Sequence, residues 1–91
     1  MSDPQLTFTA FVLSLATSAA MHFGDLPDAT GAHPEPNLEG AAQMIEILGL
    51  LEEKTKGNLT LEERGLLEQV LYELRMRFVE AKSGEKRIIV P

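Results

Sequence analysis

Apolar residues recur at helical spacing in three blocks of the chain. In the first block Phe8, Phe11, Val12, Leu15, Ala19 and Phe23 form one broad stripe, while Leu13, Ala16 and Ala20 lie on a different side. The spacing predicts a helix over about residues 5–23 that is apolar around most of its circumference. Two start signals precede it, Asp3 followed by Pro4 and then Thr7, and Gly24 is a natural stop. A helix that is apolar all round must be buried, and two partner helices from the same chain cannot surround it. Ala10, Ser14, Thr17, Ser18 and Met21 add a side of small or slender residues on which another backbone can approach closely.

The second block opens at Asn37, a good cap, with Glu39 placed to interact with the positive end of the helix dipole. Leu38, Ala41, Ala42, Ile45, Leu48 and Leu51 follow on one face, Met44 and Ile47 widen it, and Lys54, Lys56 and Gly57 mark the end, which predicts a helix over about residues 38–55. Gly40 and Gly49 each weaken a helix interior by about 1 kcal/mol, which close helix contact or simple tolerance would explain. The third block starts with a capping box, Thr60 with Glu63. Leu67, Leu71, Leu74, Phe78 and Ala81 then step by four and three, with Leu66 and Val70 beside them, and predict a helix over about 61–82. Glu62, Glu68, Glu73, Arg75, Arg77 and Glu80 read as its solvated side, with Glu73 and Arg77 as an i, i+4 pair.

Between the first two helices "GDLPDATGAHPEP", residues 24–36, contains three prolines and two glycines and predicts a loop. The connection from Gly57 to Leu59 is so short that the second and third helices must form an antiparallel hairpin. After Gly84 the tail, residues 83–91, is expected to leave the helix and to be flexible, ending in Ile88, Ile89 and Val90. The expected architecture is therefore all-α, one domain of three helices over residues 1–91.

Composition sharpens this picture. In 91 residues there is no cysteine, which removes disulfides and thiolate chemistry and fits a cytoplasmic home. A domain of this size buries only about 60% of its unfolded surface, so self-association is the remaining common source of stability. The net charge is -6; residues 1–53 hold eight acids and no Lys or Arg, and residues 54–91 hold six acids and eight bases. A chain so acidic and without a basic face is a poor partner for phosphate backbones, so no nucleic acid is expected. No basic segment precedes the apolar opening stretch, which weighs against a secretion signal. That stretch is also short for a membrane span, is interrupted by Thr7, Thr9, Ser14, Thr17, Ser18 and His22, and has acidic flanks.

A search for chemistry finds little. There is no phosphate-binding glycine loop, no helical His-Glu-x-x-His, and no Ser/His/Asp set; Ser14 and Ser18 sit inside the apolar helix. His22, Asp25, His33 and Glu35 gather weak metal-ligand types near the long loop, but without the helical spacing that makes such a signal specific. Neither a cofactor nor a resident metal is expected.

The stretches "FTAFVLSLATSAAMHFGDLPD", "NLEGAAQMIEILGLLEEKTKGNLT" and "LLEQVLYELRMRFVE" resemble a bacterial family known as domain of unknown function 1844. The resemblance runs from Phe8 to Glu80 and implies a small, helical, bacterial protein of the cytoplasm; it brings no activity and no functional residues. The expectation is a non-catalytic interaction or scaffold protein whose partner is itself, as a homodimer first and a tetramer next, with a further protein partner left open. The expected interface is Phe8, Phe11, Val12, Leu15, Ala19 and Phe23, backed by Leu67, Leu71, Leu74 and Phe78. Two other readings are a protein held at a membrane by its first helix and a metal-dependent enzyme with a site between subunits.

Overall fold

A computed structural model describes residues 6–27, 29–32 and 35–87, the last three by backbone alone. The protein is all-α, with three helices: α1 (Phe8–His22), α2 (Leu38–Lys54) and α3 (Leu61–Arg87). Each helix start has a local cause. Thr7 Oγ1 accepts a hydrogen bond from the Ala10 amide at 3.0 Å, and Asn37 Oδ1 does the same for Gly40 at 3.0 Å. Thr60 and Glu63 cap each other reciprocally, the Thr60 amide donating to Glu63 Oε1 at 2.9 Å and the Glu63 amide to Thr60 Oγ1 at 3.1 Å. The first helix therefore opens at Thr7; Asp3 and Pro4 lie outside the described residues.

At the end of α1 the Asp25 amide donates to the Ala20 carbonyl and the Gly24 amide to the Met21 carbonyl, both at 3.0 Å. This is a Schellman closure, and it requires the left-handed conformation that Gly24 adopts at φ +79°. The Asn37 amide then donates to the His22 carbonyl, which ties the start of α2 to the end of α1. The two helices run antiparallel, since His22 at the end of α1 meets Gly40 in the first turn of α2 while Val12, earlier on α1, shares a core with Leu48, further along α2. An ideal Cβ on Gly40 would sit 2.6 Å from His22 Nδ1, so here the glycine permits a close approach. Gly49 has no such constraint; its nearest neighbour would be Arg75 Nη2 at 3.4 Å.

The third helix outruns its sequence-based end at residue 82 and continues through Gly84 to Arg87. A glycine ends a helix when it turns left-handed, and Gly84 does not; the positive-φ glycines are Gly24, Gly31 and Gly57. Flanked by good helix formers, Gly84 weakens α3 by only about 1 kcal/mol, too little to stop it. Residues 88–91 lie outside the described residues. With 27 residues α3 is about 40 Å long, against about 22 Å for the 15 residues of α1.

The core sits where the three helices meet: Val12 of α1, Leu48 of α2, and Leu67, Val70 and Leu71 of α3, with Phe8, Leu15, Ile45, Leu51, Leu66 and Leu74 half-buried around them. Ala19, Phe23 and Ala41 are also buried. No polar or charged side chain is buried among the described residues.

Candidate interaction surfaces

Of the ten side chains expected to meet a second copy, five are covered by the chain itself. Val12, Ala19, Phe23, Leu67 and Leu71 are at most 2% exposed, enclosed by α2 and α3 or by α1 in turn. Phe8, Leu15 and Leu74 pack partly against the same core, and Phe78 is half-buried with its ring edge-on to Phe23, 6.5 Å between centroids at 62°. Phe11 alone of the set counts as exposed, at 38%. The stripe that looked like an intermolecular surface is thus chiefly the intramolecular one. Periodicity reports that a side of a helix is apolar; it does not say which neighbour covers it.

The surface left open is a different set. On α1, Leu13 and Met21 are exposed together with Phe11; on α2, Ile47 and Leu50; on α3, Tyr72, Met76 and Val79. Ser14 and Thr17 are exposed on α1, but their hydroxyls donate to the carbonyls of Phe11 at 2.8 Å and Leu13 at 2.9 Å. Self-bonding in this way makes the outer side of α1 less polar than its composition suggests. Tyr72, Met76 and Val79 follow i, i+4, i+7 spacing and form a second apolar row on α3, opposite its buried face. That row is visible in the sequence, but Glu73, Arg75, Arg77 and Glu80 are interleaved with it and give the segment a solvated look.

Arg77 has a part that no spacing rule anticipates. Its guanidinium forms a two-pronged pair with Asp25, Nη2 to Oδ1 at 2.7 Å and Nε to Oδ2 at 2.9 Å, across 52 residues of sequence. It also lies over the Phe23 ring at 5.1 Å from the centroid and reaches Glu80 at 3.5 Å. The hydrogen bond to Asp25 holds the Arg77 pKa above its ordinary value, aided by the charges of Asp25 and Glu80 and opposed by partial burial. The i, i+4 pair expected between Glu73 and Arg77 is not made; Glu73 accepts instead from Gln69 Nε2 at 2.9 Å. Arg77 thus fastens the end of α1 to α3.

The weak metal-ligand set is not assembled. His22 lies against Gly40, the Asp25 carboxylate is engaged by Arg77, Glu35 is exposed, and His33 is outside the described residues. Among the described residues no three His, Cys, Asp or Glu side chains are grouped to hold a metal ion. A depression of about 640 Å³ opens at the α2–α3 turn beside Gly49, Gly57 and Leu59. Its charged rim mixes Glu52, Glu53 and Lys56 with Arg64 and Glu68, and the last two pair with each other at 3.1 Å. Its one hydroxyl, on Thr55, donates to the Leu51 carbonyl at 2.8 Å, so the lining offers no activated nucleophile. Among the described residues no helix is long and apolar enough to cross a membrane.

A family model described as Domain of unknown function (DUF1844) matches residues 5–80. No curated protein and no solved structure matches the chain.

Proposed function

We propose that this chain, which belongs to the DUF1844 family and takes no assigned activity from it, is a non-catalytic interaction module that works as a homo-oligomer, first of all a homodimer. One observation carries the reading: among the described residues large apolar side chains stand exposed on all three helices, Phe11, Leu13 and Met21 on α1, Ile47 and Leu50 on α2, and Tyr72, Met76 and Val79 on α3. Monomers seldom keep so many such groups in water. Measuring the mass of the purified chain by light scattering across a dilution series tests this. The expected result is twice 10.0 kDa; a compact, fully helical monomer at every concentration defeats the proposal.

A further inference from the structure

We infer that the second copy packs on the side-by-side faces of α1 and α2, so that two such pairs form a four-helix layer with the α3 helices outside it; this rests on the self-association proposed above. The contact of His22 with Gly40 fixes which faces of the antiparallel pair lie together. Counting back from His22 by helical steps gives Ser18, Leu15 and Phe11; counting forward from Gly40 gives Met44, Ile47 and Leu51. These two rows line the junction of α1 and α2. Phe11 and Ile47 stand at its outer lip, 38% and 46% exposed, and Leu50, one turn beyond Ile47, is 55% exposed. The outer row of α1 continues the surface through Ala10, Ser14, Thr17 and Met21.

Charge selects this face for a second copy of the same chain. Each copy carries -6, so two copies repel wherever their acidic surfaces meet. From Leu6 to Gly24 there is no Asp, Glu, Lys or Arg, and the row Gln43, Ile47, Leu50, Lys54 adds a single charge, at its far end. Of the four acids of α2, Glu39, Glu46 and Glu53 recur every seven residues and edge this face beyond Leu50, of which Glu46 and Glu53 are i−4 and i+3 neighbours, while Glu52 follows Leu48 on the inner side. The acid-free part of the face is its α1 half, and like-charged copies meet least opposition there. Area favours the same face. Two adjacent helices about 22 Å long and together about 20 Å wide give a footprint of about 450 Å² in projection, which side-chain relief raises toward the 800 Å² that a stable dimer needs from each partner. A single row such as Tyr72, Met76 and Val79 on α3, edged by Glu73 and Glu80, offers half that width and has no uncharged helix such as α1 beside it in the same face.

Sedimentation velocity on the full chain, with far-ultraviolet circular dichroism of each variant, tests the assignment. Ile47→Glu is expected to raise the dimer Kd by about 100-fold at unchanged helicity, because the two-fold axis brings the buried charge in twice. Leu50→Glu, more than half exposed in the single chain and so outside its core, must weaken the dimer in the same direction. Tyr72→Glu, on α3, is expected to leave Kd unchanged. A dimer whose Kd is unmoved by Ile47→Glu and Leu50→Glu, or is weakened only by Tyr72→Glu, overturns the assignment while leaving self-association intact. A wild-type chain that is monomeric throughout overturns both.

Discussion

Gly40 and Gly65 both interrupt helices, yet the structure assigns opposite signs to their replacement by alanine. At Gly65 an ideal Cβ meets nothing within 4 Å, so Gly65→Ala should gain the full difference in helix propensity, about 1 kcal/mol. At Gly40 the added carbon would lie 2.6 Å from His22 Nδ1, 2.8 Å from His22 Cε1 and 2.9 Å from Asn37 Nδ2, all inside ordinary contact distance. Relief requires the His22 ring to swing off α2 or the Asn37 cap to loosen. Overpacking of this kind costs about 1–3 kcal/mol and a weakened cap about 1 kcal/mol, which together exceed the propensity gain. Gly40→Ala should therefore be destabilising by about 1–3 kcal/mol, and the two variants should differ by about 2–4 kcal/mol. For a domain of this size about 1 kcal/mol moves the melting temperature by about 4–8 °C. Thermal melts followed by circular dichroism at one protein concentration make the comparison, with concentration fixed because the proposed dimerisation would be linked to stability. If Gly40→Ala melts as high as Gly65→Ala, the His22 ring yields freely and the close approach of α1 to α2 is not a constraint on the fold.

Arg77→Ala removes the Asp25 pair and the cover over the Phe23 ring; both groups are partly in water, so the expected loss is about 1–2 kcal/mol, read from the urea midpoint. Because the folded pKa of Arg77 is raised above its unfolded value, its contribution is complete below the unfolded value and fades only as pH climbs through the folded one. The wild-type to Arg77→Ala difference should accordingly stay flat from pH 7 to about 10, and a steady decline over that range would contradict the assignment. Leu48→Ala opens the fully buried centre of the core and should cost about 2–5 kcal/mol, enough to leave a chain this small largely unfolded near 37 °C. A Leu48→Ala melt within 3 °C or so of wild type would mean that the three helices do not share one core.

What the sequence disclosed was what neighbouring residues decide among themselves. Asn37 with Gly40, Thr60 with Glu63, and Gly24 at a left-handed turn are interactions within a few residues, and their side-chain types announce them. Two local rules failed: Gly84 has the composition of a stop but not the left-handed turn that makes one, and the i, i+4 pairing of Glu73 with Arg77 yields to the distant Asp25. Choice of partner was not legible. The apolar stripe of α1 is as real as its spacing implied, but Val12, Ala19 and Phe23 are satisfied by this chain's own α2 and α3, a fact that depends on where the long loop delivers α2. The Asp25–Arg77 pair joins positions 52 residues apart and has no periodic signature. On α3 the row Tyr72, Met76 and Val79 was legible in spacing and obscured by the charges between its members.

These two kinds of result bear on how the chain can act. A helix with an all-round apolar surface demands cover on every side, and the structure divides that demand: one side is met within the chain, the other is left as Phe11, Leu13 and Met21 beside Ile47 and Leu50. The covered side is pinned at both levels, by the core around Val12 and by Arg77 holding the segment after α1 through Asp25. With α1 held in this way, the open side is presented as a fixed surface; in the proposed dimer a second copy would meet it without first ordering it, at a lower entropic cost of association. Loosening the latch should then weaken association as well as folding, even though Arg77 lies on α3 and not on the α1–α2 face. Arg77→Ala examined by sedimentation well below its melting temperature isolates that effect. A Kd raised several-fold at unchanged helicity is expected; an unchanged Kd would mean that α1 keeps its place without the latch and that the core alone positions the face.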